Sequence, residues 1–125
     1  MNPFKLIKSM FTSAPRLHPL ECAASVRAGE SILIDVREPR EWASGVAQHA
    51  KLLPLSDLTG SRTQWQRFLA DHTEKEMLFY CAHGGRSVMA ARILAAEGFR
   101  TANAGSITDW VAAGWPLVKP DATSR

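Results

Sequence analysis

The side chains of this sequence best suited to chemistry stand together in YCAHGGRS, residues 80–87, where an apolar strand-like run ends and a helix-like run begins. A turn between a strand end and a helix start leaves the first N–H groups of the helix without partners. A chain curled into a cradle there converges them on one point. Gly84 and Gly85 permit positive φ and remove Cβ atoms that would crowd that point. A Cys81 thiolate at the centre would be stabilised by the amides, by the helix dipole and by Arg86, which lowers its pKa and raises the reactive fraction near neutrality. The same residues admit a plainer reading, a small buried hydrophobe followed by an ordinary Gly-Gly turn. Spacing alone leaves both open. A second concentration of charge, DVREPREW, carries Asp35, Arg37 and Glu41.

The elements that must position these residues follow from local patterning. HPLECAASVRAG reads as a short helix with Pro19 near its start and Gly29 as its stop. SILIDV is a compact apolar run with β-branched Ile32, Ile34 and Val36, as expected of a strand covered on both faces. Pro39 suits a first helical turn, and KLLPL gives a second short strand that Pro54 ends. Trp65, Phe68 and Leu69 fall at helical spacing, and EMLFYC is a third strand ending at the cysteine. SVMAARILAAEG is a helix apolar around most of its circumference, stopped by Gly98. FRTANA and SITDWVAAGWP supply a last strand and a last helix. Strands alternating with helices imply an α/β domain with a mainly parallel sheet, right-handed crossovers and helices on both faces. Ligands of such sheets bind outside the carboxyl ends of the strands, where Cys81 falls.

Composition narrows the function classes. At 125 residues, 46% hydrophobic and 22% charged, the chain has the balance of one soluble domain with a real core. The net charge of +3 is mild and its lysines and arginines are scattered, which argues against a nucleic-acid partner and suits a small anionic substrate. Two cysteines, Cys22 and Cys81, lie far apart without a CxxC or a Cys/His ligand spacing, so neither a disulfide framework nor a metal site is indicated. A reducing, cytoplasmic location is the simpler expectation. In MNPFKLIKSMF the lysines interrupt every apolar run, so neither a signal peptide nor a transmembrane segment of roughly 20 apolar residues is expected. Phe4, Ile7 and Phe11 could line one face of a weak interfacial or docking helix, against the more general expectation of a flexible or locally packed extension at a terminus.

Four separated stretches, LIDVREPREWASG, the PLSDL after KLL, YCAHGGRS and AGSITDWVAAGWPLV, resemble in order the successive signatures of the rhodanese domain, in its single-domain sulfurtransferase form. The resemblance runs from about Leu17 to about Val118. It implies a rhodanese-like α/β fold with a central, mainly parallel five-stranded sheet and helices on both faces. The expected organisation is an extension over 1–15, a domain over 16–119 and a tail over 120–125. By resemblance, Cys81 is the nucleophile that takes sulfane sulfur from thiosulfate or a similar donor and carries it as a persulfide. Cyanide, a thiol or a thioredoxin-like protein then accepts it, with no metal or organic cofactor. Ala82, His83, Gly84, Gly85 and Arg86 would form the cradle, Arg86 would help bind the donor anion, and Ser87 would cap the helix or extend the cradle. His83 either steers the donor or is an ordinary loop histidine.

Asp35, Arg37 and Glu41 are then structural support, joined in hydrogen-bonded ion pairs near the sheet edge. Trp110 and Trp115 fill core or rim, and Cys22 is a packing residue more than a resolving thiol. Cys81 and Arg86 enclose four residues, where the related phosphatase and arsenate-reductase loops enclose five; the shorter loop favours sulfur over phosphate. The chain departs from the resemblance at Val46 and Ala47, at His49 where a glycine is usual, and at Ala104 in place of the first glycine of a pair. A non-enzymatic persulfide carrier or a regulatory binding module on the same fold is the competing expectation.

Overall fold

The structure, a computed structural model, describes residues 12–72 and 74–120. The face formed by Phe4, Ile7 and Phe11 lies outside the described residues.

In chain order the elements are α1 (Pro19–Arg27), β1 (Ser31–Asp35), α2 (Pro39–Trp42), β2 (Val46–Ala47), β3 (Lys51–Leu52), α3 (Leu55–Leu58), α4 (Thr63–Asp71), β4 (Glu76–Cys81), α5 (Gly85–Ala96), β5 (Thr101–Ser106), α6 (Ile107–Ala112) and β6 (Leu117–Val118). Their ends follow local chemistry. His18 caps α1 by accepting the Leu20 N–H at Nδ1, 3.1 Å away, while Glu21 accepts the His18 N–H at 2.9 Å and Pro19 opens the helix. Ser106 and Asp109 close a reciprocal pair of the same kind at α6.

The main sheet has the order β3-β1-β4-β5 with every pairing parallel. It has four strands rather than the five expected. At the position beyond β5 the described residues make a single bridge, Arg16 beside Asn103. Pro15 has no N–H with which to extend a ladder, and His18 is already committed to α1, so no strand grows there. The short runs at Val46–Ala47 and Leu117–Val118 pair antiparallel with each other as a separate ribbon.

Side chains of β4 alternate between two cores. Leu78 and Tyr80 join Trp42, Trp110, Trp115 and the α1 residues Cys22 and Val26 on one face. Met77, Phe79 and Cys81 join Leu58, Trp65, Phe68 and the inner side of α5 on the other. Helices thus cover both faces, and Trp110 and Trp115 are core residues. Because the strands are parallel, the last residues of β1 and β4, Asp35 and Cys81, come out at the same edge. Near that edge the β4–β5 register shifts by one residue, from Phe79 opposite Asn103 to Cys81 opposite Ser106.

Candidate functional site

The chain turns at the end of β4 and starts α5 within four residues, so the helix opens directly over the Cys81 sulfur. Gly84 is the residue flanking the helix start, with φ +96°, a left-handed conformation that glycine adopts without penalty. No side chain of the loop caps α5. The sulfur takes that place: Sγ accepts the Gly84 N–H at 3.0 Å and the Ser87 N–H at 3.4 Å. Cys81 is almost fully buried, and burial alone would raise its pKa. The Ser87 hydroxyl and the N–H groups of Ser87, His83 and Gly84 outweigh burial, and the thiol is held below its ordinary value.

The glycines act differently from the expectation. A Cβ at Gly84 or Gly85 would meet no atom within 4 Å, so no protein group crowds the cradle at either. Backbone conformation demands glycine at Gly84, while Gly85 leaves open space at the mouth. Ala82 is half-buried and His83 is exposed.

Ser87, at the third helical position, does not cap α5. Its buried hydroxyl lies 3.4 Å from Cys81 Sγ, 2.7 Å from Asn103 Oδ1 and 3.0 Å from the Gly84 carbonyl. The Gly105 N–H donates to the same Asn103 oxygen at 3.1 Å, which orients the amide. The register shift at the end of β5 falls beside this residue. Sequence reasoning missed Asn103, although a polar side chain in a strand as buried as TANAGS is itself a signal that a partner is required.

Arg86 turns toward Glu41. Both terminal guanidinium nitrogens donate to its carboxylate, Nη2 at 2.8 Å, in a two-pronged pair at the rim. The Arg86 hydrogen bond holds the Glu41 carboxyl down at a pKa of about 2. Glu41 therefore reaches the loop itself, while Asp35 and Arg37 form their own buried pair.

That pair underlies the site. Arg37 Nη2 donates to Asp35 Oδ2 and to the Gly45 carbonyl, each at 2.8 Å, and Nη1 donates to the Glu41 carbonyl at 3.3 Å. The Tyr80 hydroxyl donates to Asp35 at 2.6 Å and accepts the Ala47 N–H at 2.9 Å. Burial, and then the Asp35 charge, push the Tyr80 pKa up and keep the phenol protonated. Tyr80 was a second residue that spacing did not single out; a buried phenol beside the cysteine needs a partner. The network fixes the end of β1 to α2, and so fixes the Glu41 that grips Arg86.

Cys22 is remote from this arrangement. It is buried on the inner face of α1, its Sγ lies 3.5 Å from the His18 carbonyl, and burial pushes its thiol up to about 11. Among the described residues no cluster of His, Cys, Asp and Glu is suited to a metal ion, and no helix is long and apolar enough to cross a membrane. What the arrangement can do is hold a buried sulfur, its pKa lowered, in a collar of amides at the start of α5.

Comparison with known proteins places the chain in a family. Residues 18–113 match the family model of the rhodanese-like domain. The chain is 25% identical over 131 residues to the mitochondrial thiosulfate sulfurtransferase RDL2 of Saccharomyces cerevisiae, across 95% of this chain and 88% of that protein. It is 29% identical over 92 residues to a sulfurtransferase of Allochromatium vinosum, across 72% of this chain and 80% of the relative. A crystal structure of a rhodanese-related protein from Thermoplasma volcanium superposes with a TM-score of 0.71 at 26% identity, covering 85% of this chain and 99% of that one.

Proposed function

The chain belongs to the rhodanese-like domain family, whose relatives include named sulfurtransferases, and on that premise we propose that it moves sulfane sulfur from thiosulfate or a similar small anionic donor to a thiol or cyanide through a persulfide on Cys81. The observation that carries this reading is the Cys81 sulfur lowered in pKa by the Ser87 hydroxyl and the loop amides at the foot of an open loop. The thiolate attacks the outer sulfur of thiosulfate, a new S–S bond forms on Sγ, the donor's S–S bond breaks, and sulfite leaves with its electron pair. An acceptor thiolate or cyanide then attacks the outer persulfide sulfur, and Cys81 leaves as thiolate. Sulfur is transferred without net oxidation, so the cycle needs no cofactor.

The N–H groups of Gly84 and Ser87 are aimed at the sulfur that becomes the leaving group in the second step, where negative charge returns to Sγ. Ala82, His83, Gly85 and Arg86 frame the mouth through which a donor approaches. Asp35, Arg37 and Glu41 hold that frame in place. We take 16–119 as the working domain, a thiol or thioredoxin-like protein as the acceptor in the cell, and a reducing, cytoplasmic setting; the two free cysteines suit the last of these.

The test is thiosulfate-dependent thiocyanate formation, run beside intact-mass measurement after thiosulfate alone. Turnover with one added sulfur on Cys81, lost in Cys81→Ala and kept in Cys22→Ala, is the expected result. Persulfide without turnover would make the protein a carrier, and transfer surviving in Cys81→Ala would remove the mechanism.

A further inference from the structure

At the edge of the sheet opposite Cys81 lies a cavity of about 340 Å³ at the amino ends of β1 and β3, beside the residues that lead into β4. Arg27, His49, Lys51, His72 and Lys75 line it, and no carboxylate is among its described lining residues. Val26, Ile32 and Leu33 supply its apolar part. It is separated from the catalytic loop by the length of β4, roughly 17 Å at the usual rise of a strand.

Three of these side chains are held in place. The Arg27 guanidinium lies over the Trp115 ring at 4.8 Å, and the His49 ring meets the same indole edge-on at 6.3 Å. Trp115 is itself fixed by its indole N–H, which donates to the Gln48 carbonyl at 2.9 Å. His72 stacks on Phe68 with ring centres 4.3 Å apart, and its Nδ1–H donates to the Phe68 carbonyl at 2.9 Å. None of these five residues forms an ion pair with a carboxylate among the described residues. A cavity lined by three cationic side chains and two imidazoles, with no carboxylate in its described lining, is matched to an anion.

Backbone strain gives an independent reason to look here. His49 has φ +72° and Arg62 has φ +61°, the only non-glycine residues with positive φ among those described. Arg62 is compensated by its two-pronged pair with Glu97, both contacts at 2.7 Å. The His49 ring has no hydrogen bond or ion pair among the described residues, yet the chain keeps an imidazole at a position whose backbone favours glycine. A non-glycine residue kept at positive φ with only a ring contact to Trp115 around it points to a role for its imidazole.

We propose that this cavity binds a compact multivalent anion of the di- or polyphosphate kind. Its volume falls at the small end of ligand pockets, and its three cationic side chains, with two imidazoles beside them, exceed what a single anionic centre can engage. The site is separate from the sulfur-transfer reading and stands whether or not that reading holds.

The experiment is a titration of the full chain with inorganic pyrophosphate, followed by amide chemical shifts, with sulfate as the single-centre comparison. Saturable shifts at Gly29, Ser31 and His49, with Gly84 and Gly85 still, are expected, and sulfate should bind more weakly. His49→Gly relieves the backbone, so its thermal midpoint should equal or exceed that of the parent while pyrophosphate affinity falls about tenfold, the effect of one lost hydrogen bond to a charged group. Lys51→Gln, on the exposed start of β3, should weaken binding similarly. Shifts confined to Gly84 and Gly85, shifts that never saturate, equal affinity for sulfate, or undiminished affinity in both variants would overturn the assignment.

Discussion

Replacing Ser87 with alanine tests how the reactive sulfur is held. The hydroxyl has one proton and several acceptors in reach: Asn103 Oδ1 at 2.7 Å, the Gly84 carbonyl at 3.0 Å and Cys81 Sγ at 3.4 Å. While Cys81 is a thiol, its S–H donates to Ser87 Oγ and the serine proton goes to Asn103. When the thiol ionises, the hydroxyl turns to the sulfur and leaves that amide. A hydrogen bond to a charged group contributes about 1.5–3 kcal/mol, and the neutral bond forfeited about 0.5–1.5. The difference is about 1–1.5 kcal/mol, or roughly five- to tenfold in the thiolate fraction. The assay is iodoacetamide alkylation of Cys81 followed by mass as a function of pH. Cys22, its thiol pushed up to about 11 by burial, supplies little background. On the rising limb of the profile Ser87→Ala should react five to ten times more slowly, reaching the parent's plateau at higher pH. Superimposable profiles, or a faster variant, would show that the amides alone set the ionisation and that the hydroxyl serves Asn103 only.

Two further outcomes follow from the loop and its rim. Arg86 holds the Glu41 carboxyl at about 2 against an ordinary 4.5, so the pair stabilises the fold above about pH 4.5 and that stability is lost as pH falls through 2. Glu41→Gln should lower stability to urea by about 1 kcal/mol near neutral pH, a partly exposed pair of good geometry, with the gap closing toward pH 2; a gap independent of pH would disprove the linkage. Gly84→Ala should cost about 1–2 kcal/mol because φ is +96° there. Gly85→Ala, with open space around the added methyl, should fold as well as the parent or better by about 0.5–1 kcal/mol while slowing reaction with a donor; equal losses of stability at both would contradict the assignment of strain to Gly84.

What the sequence discloses is mostly what neighbouring residues decide. The apolar run into Cys81, the glycine stops after α1 and α5 and the proline starts of α1 and α2 all act within a few positions, and each is where patterning puts it. The strand end, the turn and the helix start around Cys81 were legible for the same reason, while the roles expected of Gly85 and Ser87 differ from what the fold gives them. The Arg86–Glu41 pair joins residues 45 positions apart, and the Ser87–Asn103 contact depends on a one-residue register shift in β5 that no periodicity encodes. The fifth strand failed because Pro15 and the α1 cap confine the edge to one bridge, and β2 and β6, two residues each, are too short to show alternation. His49 stood out in the sequence as an unusual residue; its positive φ appears only in the folded chain.

The pairing of Arg86 with Glu41 also bears on how a charged molecule would find the loop. A guanidinium already matched by a carboxylate presents a dipole to its surroundings rather than a net charge, and a dipole's field fades faster with distance. Attraction of an anion to this mouth is then short-ranged, felt from the loop amides once the anion has arrived. Added salt, which shields charges over distances near 10 Å, has little long-range pull to remove. The encounter rate of a small anion with Cys81 is accordingly set by diffusion and by the width of the mouth, and only weakly by ionic strength.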